Sequence, residues 1–202
     1  MPVPTRVDHH SRRREVARAA WRVIQRKGLD RSGLRDIADE LHGTVSTVTH
    51  YFRTRDELIR FACDEVFVVS RARLGELFER QHGLAGLEQL LLAGLPVEPG
   101  REIGWEVWIA FLGHAIGRPE ARAQEADRER GLREMLAGHL SGLQRQGDIP
   151  ARCDVPVETD LLAALLDGLG LGRVFQPDRY TSERVALLLR SHLQQRFDYQ
   201  PR

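Results

Sequence analysis

The segment between residues 37 and 58 constrains the fold of this chain more than any other part of the sequence. Apolar side chains at its start recur at i, i+3, i+4 and i+7, which predicts one face of a short helix: Leu34, Ile37, Ala38 and Leu41. His42-Gly43 ends this helix, and we expect Gly43 to take the positive φ found at helix ends. Thr44 is the predicted N-cap of a second short helix that buries Val48 and Phe52. Two short helices joined by a tight turn are typical of a helix-turn-helix.

The outer side of the second short helix carries small and polar side chains, which allow a helix to enter the major groove of DNA. We expect DNA contacts from this face and its neighbours, namely Arg35, Thr44, Val45, Ser46, Thr49, His50, Tyr51 and Arg55. Val45 is suited to a thymine methyl group, and His50 to a phosphate. Arg55, at the start of the next helix, is expected to hold a phosphate together with free backbone N–H groups. In the alternative interpretation, the hydroxyl groups of this segment only cap the helix.

The other helices are predicted from capping signals and apolar periodicity. Thr54 and Glu57 have the spacing of a capping box, so a long helix is expected from Arg55 to about Arg80. An N-terminal arm of eight residues precedes a first helix, which is expected from His9 or Ser11 to Lys27. Ser32 is the predicted N-cap of the helix that follows. Beyond residue 80, helices are expected at about 87–95, 102–116, 119–146, 157–172 and 182–197.

Several pairs of residues in the helix-turn-helix resemble the signature of the tetracycline-repressor (TetR) family: Ile37-Ala38, Thr47-Val48, Tyr51-Phe52, and then Arg55 and Leu58. The resemblance is close over residues 14–59. It implies an all-α homodimer of about nine helices per subunit, with a three-helix DNA-binding domain at 1–54 and a ligand-binding and dimerisation domain at 55–202. The chain departs from the family pattern at Thr49, where Tyr is usual, and at His42-Gly43, where Gly-Val is usual. The operator preference of relatives therefore does not carry over.

The charge distribution agrees with a DNA-binding N-terminus. The net charge is +1, but residues 1–60 contain 13 Lys and Arg against 8 Asp and Glu. A basic segment in a nearly neutral protein predicts phosphate binding. Much of this charge comes from Arg12, Arg13, Arg14 and Arg18, for which a solvated helix face is the alternative.

Composition excludes several other classes of protein. No apolar run approaches the roughly 20 residues that cross a bilayer, and the N-terminus has no apolar signal-peptide core. We therefore expect a cytoplasmic protein without a membrane partner. The sequence has no Gly-rich phosphate loop, no His-Glu-x-x-His or Gly-x-Ser-x-Gly motif, and no metal spacing among its Cys and His residues. It predicts neither an enzyme nor a cofactor.

The sixth predicted helix is the most aromatic part of the chain. Its aromatic side chains follow one another at intervals of three residues, so we expect them along one face as candidate ligand-binding residues: Trp105, Trp108, Phe111 and His114. Such residues line apolar ligand pockets, and tryptophan can also bind a cation. The alternative is that they belong to the core or to a subunit interface.

The last two predicted helices are candidates for a dimer interface. The first is apolar nearly all round, which predicts burial on more than one side. Two such helices can pair with their copies to form a four-helix bundle. The predicted interface residues are Leu161, Ala164, Leu165, Gly168, Leu169, Gly172, Val185, Leu188, Leu189 and Leu193. This last third of the chain also resembles the BetI type of TetR regulator, the repressor of the choline-to-betaine pathway.

The resemblance and the residues together predict a one-component transcriptional regulator. We expect a repressor that binds a palindromic, double-stranded DNA operator as a homodimer. A small hydrophobic or amphipathic effector of unknown identity is expected to release it. The alternative is a ligand-independent architectural or activating DNA-binding protein.

Overall fold

The computed structural model describes residues 6–29, 31–80 and 82–197, and the described residues form helices and connecting turns without a strand. The helices are α1 (Arg6–Lys27), α2 (Leu34–Glu40), α3 (Val45–Thr49), α4 (Arg55–Arg80), α5 (Gly83–Gly94), α6 (Glu102–Ala115), α7 (Pro119–Gln146), α8 (Val155–Phe175) and α9 (Ser182–Phe197). The all-α prediction is confirmed. None of these helices is long and apolar enough to cross a membrane.

The chain divides into two compact units. The first unit comprises Met1–Val69 with Glu106–Arg122, and the second comprises Ser70–Trp105 with Ala123–Arg202. Helices α4, α6 and α7 therefore each contribute residues to both units. The domain boundary predicted between residues 54 and 55 was defined by function, whereas these two units are defined by packing. The predicted boundary therefore stays a prediction.

The predicted bounds agree with the structure to within one residue for α4, α6, α7 and α9, whereas α1, α5 and α8 differ by more. Helix α8 runs over Val155–Phe175 rather than over 157–172. The bounds of α4 and α9 are confirmed. Helix α1 begins at Arg6, earlier than predicted, and residues 1–5 of the predicted arm lie outside the described residues. Helix α5 begins at Gly83 rather than at residue 87. Burial of Leu87, Leu90 and Leu91 outweighs the low helix propensity of the glycines in its first turn.

The turn between α2 and α3 corrects the prediction made for Gly43. His42, not Gly43, has the positive φ, at 53°. The N–H of Gly43 donates to the carbonyl of Ala38 at 2.9 Å, which closes the end of α2. A Cβ atom at Gly43 would lie 3.2 Å from Oγ1 of Thr47, so a side chain there requires a small shift of Thr47. Thr44 is the N-cap residue of α3, as predicted.

The core of the second unit joins α5, α7, α8 and α9. Its largest fully buried side chains are leucines from all four helices: Leu87, Leu91, Leu95, Leu136, Leu140, Leu162, Leu189 and Leu193. Trp105 packs against this core and donates its indole N–H to the carbonyl of Gly94 at 3.0 Å. A Cβ atom at Gly170 would lie only 2.0–2.5 Å from the Trp105 ring. Gly170 therefore allows α8 to approach the indole closely.

We predict that Gly170→Ala destabilises the protein by about 1–3 kcal/mol, because the added methyl group forces Trp105 out of its position. Chemical denaturation followed by circular dichroism measures the change. The matched control is Gly138→Ala on α7, where a Cβ atom meets nothing within 4 Å, and it should gain roughly 0.5–1 kcal/mol from helix propensity. Equal effects of the two changes would contradict this packing.

Candidate nucleic-acid interface

Helix α3 is held in the first unit by Val48 on its inner side and by Phe52, which follows three residues after the end of the helix. Val48 and Phe52 are both fully buried, as predicted. They pack with Ile37 and Ala38 of α2 and with apolar residues of α1. A helix of five residues does not form alone in water, because nucleation is costly. The orientation of α3 is therefore set by this core.

Ion pairs fasten α1 to α2 on the surface of the same core. Glu40 of α2 accepts hydrogen bonds from Arg26 and Arg22 of α1, each at 2.5 Å, and these lower the pKa of its carboxyl to about 2. Lys27 similarly pairs with Asp36, and its hydrogen bond lowers the pKa of that carboxyl. These cations hold two helices together, so they add less to phosphate binding than their number suggests.

The basic residues near the start of α1 are also largely paired within the first unit. Arg13 is half-buried, with its guanidinium 4.5 Å from the ring centre of Phe52 and 3.1 Å from the Glu57 carboxylate. Arg14 pairs with Glu65 at 3.1 Å, and Arg12 pairs with Glu15 at 2.7 Å. The basic footprint predicted from the sequence is therefore reduced by internal pairing, whereas Arg18 is exposed.

The outer side of α3 is exposed and consists of short side chains. Val45, at 41% exposure, is one of the large apolar residues that the first unit leaves in water. Ser46 and Thr49 are exposed beside it, and the Thr49 hydroxyl donates to the carbonyl of Val45 at 3.2 Å. The backbone N–H of Thr44 donates to Oγ1 of Thr47 at 3.3 Å. This face is small enough for a groove and offers hydroxyl acceptors at its surface.

Three rings meet at the C-terminal end of α3. The ring centres of His50 and Tyr51 are 4.8 Å apart in an edge-to-face arrangement. His9 of α1 lies 5.0 Å from Tyr51 and 6.3 Å from His50. Both histidines are exposed, and Tyr51 is half-buried. The start of α1 thus adds an aromatic residue beside the predicted contacts, which the sequence alone did not indicate.

Two exposed arginines flank α3. Arg35 lies in the first turn of α2, as predicted. Arg53 lies between α3 and α4, and its backbone N–H donates to the Glu57 carboxylate at 2.9 Å while its side chain is exposed. Arg53 was not among the DNA contacts predicted from the sequence. Its position between Tyr51-Phe52 and the cap residue Thr54 indicates a turn next to the helix-turn-helix and could have suggested it.

Arg55 does not have the environment predicted for it. Its Nε donates to the carbonyl of Ser32 at 2.8 Å, and its Nη2 donates to the carbonyl of Leu29. The guanidinium therefore points to the link between α1 and α2 and is part-buried there. Ser32 is likewise not the N-cap of α2, which is Gly33, and its hydroxyl donates to the carbonyl of Gly28 at 2.6 Å. The prediction of Ser32 as N-cap is wrong because its hydroxyl donates to Gly28 instead, whereas the phosphate contact of Arg55 stays a prediction.

The four predicted ligand residues of α6 belong to different units. Trp105 is half-buried in the second unit, against Gly170. Trp108, Phe111 and His114 are buried in the first unit. There, Nε2 of His114 lies 3.5 Å from the carboxylate of Asp56 in the first turn of α4. Residues three apart on an α-helix are offset by about 60°, and this offset accumulates over the four positions. The prediction that the four side chains share one face is therefore wrong.

The predicted dimer residues divide into inward and outward sets. Leu169, Val185, Leu189 and Leu193 are at most 4% exposed and belong to the core of their own chain, so they offer no surface to a second subunit. Leu165 and Leu188 are half-buried against that core. A Cβ atom at Gly172 would lie 2.9 Å from the Tyr180 ring, so this glycine serves internal packing. Leu161, Ala164 and Gly168 are exposed.

Ionisable side chains of α7 and α8 form a separate group in the second unit. Nε of Arg133 contacts the Asp160 carboxylate at 3.0 Å, and its Nη1 contacts Glu129. Burial, and then the negative charge of Glu129, raises the pKa of the Asp167 carboxyl to about 6. The positive charge of Arg133 lowers this pKa in part and so favours the carboxylate form.

The exposed short-residue face of α3, held by a three-helix core, defines a helix-turn-helix DNA-binding regulator. Comparisons with known proteins agree. The family description "Bacterial regulatory proteins, tetR family" matches residues 17–61, and "BetI-type transcriptional repressor, C-terminal" matches residues 84–198. Since the second match alone covers more than half of the chain, the protein belongs to the TetR family of transcriptional regulators. Members of this family are regulators and not enzymes.

Relatives match the chain over nearly its whole length. The HTH-type transcriptional regulator PksA of Bacillus subtilis (strain 168) is 29% identical over 195 residues, which are 95% of this chain and 93% of the relative. The HTH-type transcriptional regulator BetI of Vibrio vulnificus (strain YJ016) is 22% identical and covers 93% of each chain.

Solved structures show the same fold. A transcriptional regulator from Saccharomonospora viridis in complex with choline superposes with a TM-score of 0.85 at 22% identity, covering 93% of this chain and 97% of that one. A transcriptional regulator from Rhodococcus sp. Rha1 gives a TM-score of 0.80 at 24% identity, covering 94% and 99%.

Proposed function

We propose that this regulator is a repressor that binds a palindromic operator as a homodimer in the cytoplasm and is released by a small amphipathic or hydrophobic effector. The observation that carries the DNA part is the exposed face of α3, where Val45, Ser46 and Thr49 stand on a buried support of Val48 and Phe52. Such side chains read base edges and thymine methyl groups. Thr44, His50 and Tyr51, with Arg35 and Arg53 on either side, are the proposed phosphate and base contacts that set register.

We predict that Ser46→Ala and Thr49→Ala change which DNA sequences are preferred, because base-edge contacts specify. Arg53→Ala should instead weaken all sequences alike and reduce the slope of log K against log salt by about 0.9. The measurement is selection of a duplex from a random library with the wild-type protein, followed by anisotropy titrations at several salt concentrations.

The expected pattern separates the proposal from a purely architectural role. If the protein reads bases through α3, selection with the wild-type protein yields one palindromic consensus sequence. Selection with the Ser46→Ala and Thr49→Ala variants then yields a different consensus sequence. Enrichment of no sequence, or an unchanged consensus for both α3 variants, contradicts base reading by this face.

The proposed dimer surface is the outward stripe of α8 together with one position of α9. Exposed apolar side chains recur along it at Val157, Leu161 and Phe175, which are 48–66% exposed, and Leu187 of α9 is 54% exposed. Ala164 and Gly168 lie on the same stripe, and a Cβ atom at Gly168 meets nothing within 4 Å. An apolar stripe with small residues at its centre allows a copy of the helix to approach closely.

We predict that Leu161→Glu converts the protein to monomers of 23.0 kDa, because a two-fold interface brings two such charges together. Light scattering at micromolar concentration measures the mass, and circular dichroism checks that helix content is kept. Val68→Glu is the matched control, since Val68 is equally exposed at 51% but lies on α4 in the first unit. Dimers of both variants, or monomeric wild-type protein, would contradict this surface.

The proposed effector response rests on the BetI-type C-terminal match and on the choline complex of the Saccharomonospora regulator. The candidate residues remain those predicted on α6, of which Trp108, Phe111 and His114 lie in the first unit and Trp105 lies in the second, and an aromatic ring can bind a cationic group. An effector changes DNA affinity only if it binds one state of the protein better than the other.

We predict that an effector from a panel of choline and short amphipathic amines weakens duplex binding by roughly 5–150-fold. Trp108→Phe should reduce this response while leaving DNA affinity without effector nearly unchanged. Anisotropy of the selected duplex gives the response, and tryptophan fluorescence gives effector binding. If effector binds and DNA affinity stays constant, the ligand-independent alternative is favoured.

A further inference from the structure

Arg55 makes hydrogen bonds that tie the start of α4 to the link between α1 and α2. Its Nε donates to the carbonyl of Ser32 at 2.8 Å, and its Nη2 donates to the carbonyl of Leu29. The two carbonyls are three residues apart, one after the end of α1 and one before the N-cap of α2. One planar guanidinium thus spans the whole connection between these helices.

The connection between α1 and α2 also has hydrogen bonds from Gly28, Arg31, Ser32 and Gly33. Gly28 ends α1 with a φ of 75°, and its carbonyl accepts the Ser32 hydroxyl at 2.6 Å. The backbone N–H of Ser32 donates to Leu29 at 3.2 Å. Ser32 is only 2% exposed, so its carbonyl lies where an internal donor is needed. Arg55 supplies that donor.

The clamp that Arg55 forms on the carbonyls of Leu29 and Ser32 affects the position of α3, the helix proposed to contact base edges. Gly33, the N-cap of α2, immediately follows Ser32, and α2 packs on α3 through Ile37, Ala38 and Val48. Only four residues separate the end of α2 from the start of α3, so a shift at the start of α2 is passed to the side chains proposed to face DNA.

We propose that Arg55 is a positioning residue for DNA recognition: its guanidinium fixes the α1–α2 link and thereby the orientation of α3, and it does not bind phosphate. This inference builds on the helix-turn-helix and not on the proposed operator symmetry or effector. It gives Arg55 a role that a lysine cannot fill, because an ammonium group does not present two donors in a planar fork.

The test compares Arg55→Ala, Arg55→Lys and Arg53→Ala on two duplexes, the one selected with wild-type protein and a scrambled duplex of the same length. Titrations are run at several salt concentrations below the melting temperature of each variant, with helix content checked by circular dichroism. Arg53 is the matched control, because its side chain is exposed two residues away.

For both Arg55 variants we expect affinity for the selected duplex to fall by about tenfold or more, with little change on the scrambled duplex and an unchanged salt slope. The ratio between the two duplexes falls because a smaller fraction of the protein holds α3 in the competent orientation. For Arg53→Ala we expect equal losses on both duplexes and a reduced slope.

Three outcomes overturn the proposal. Equal losses on both duplexes with a slope reduced by about 0.9 for Arg55→Ala assign a phosphate contact. Full activity of Arg55→Lys shows that charge alone is required. Folded variants with wild-type affinity on both duplexes reduce Arg55 to a residue for stability. If Arg55→Ala does not fold, Arg55→Lys, which keeps the charge and one donor, decides the matter. If the wild-type protein selects no duplex, DNA recognition by α3 fails as a whole, which is distinct from a failure of the clamp.

Discussion

Burial of Val48 and Phe52 is the constraint on which the DNA-binding part of this protein depends. Helix α3 has only five residues and makes too few internal hydrogen bonds to exist by itself. Its outward face must remain small and polar for DNA, so its stability comes from two inward side chains and from α1 and α2, which cover them. Ion pairs from Arg22, Arg26 and Lys27 join these two covering helices.

Many charged side chains of the first unit hold its helices together and are not exposed solely for binding DNA. Arg22 and Arg26 converge on Glu40, and Arg13 lies over Phe52 while it pairs with Glu57. The excess of positive charge in the first 60 residues is real, but a sequence count does not separate cations that hold helices from cations that face DNA. Internal pairing, not exposure, separates them, because the paired Arg22 and Arg26 are exposed as well. Among the described residues around the helix-turn-helix, Arg18, Arg35 and Arg53 are exposed and make no side-chain ion pair.

The sequence was sufficient for the helices and insufficient for the partners of individual side chains. Periodicity and capping residues predicted α4 and α9 at their observed bounds, because these signals are local. The acceptors of Arg55 lie 23 and 26 residues earlier in the chain, and no local signal indicates them. The same holds for α8 and α9, where leucines alike in sequence are divided by packing into core residues such as Leu189 and exposed residues such as Leu161.

The glycines of α8 show how that division is made. Gly170 and Gly172 face aromatic rings of their own chain, Trp105 and Tyr180, at distances that exclude any Cβ atom. Gly168 faces open space on the stripe that holds Leu161 and Phe175. Around the helix, Gly168 and Gly172 lie about 40° apart and Gly170 lies on the opposite side, so Tyr180 covers the outward stripe at Gly172 and leaves it open at Gly168. Small residues spaced along a helix therefore indicate that another group approaches the helix closely. They do not indicate whether that group belongs to the same chain or to a second subunit. Contacts within this chain account for the absence of a side chain at Gly170 and Gly172. The absence of a side chain at Gly168 is accounted for if a second subunit packs against α8.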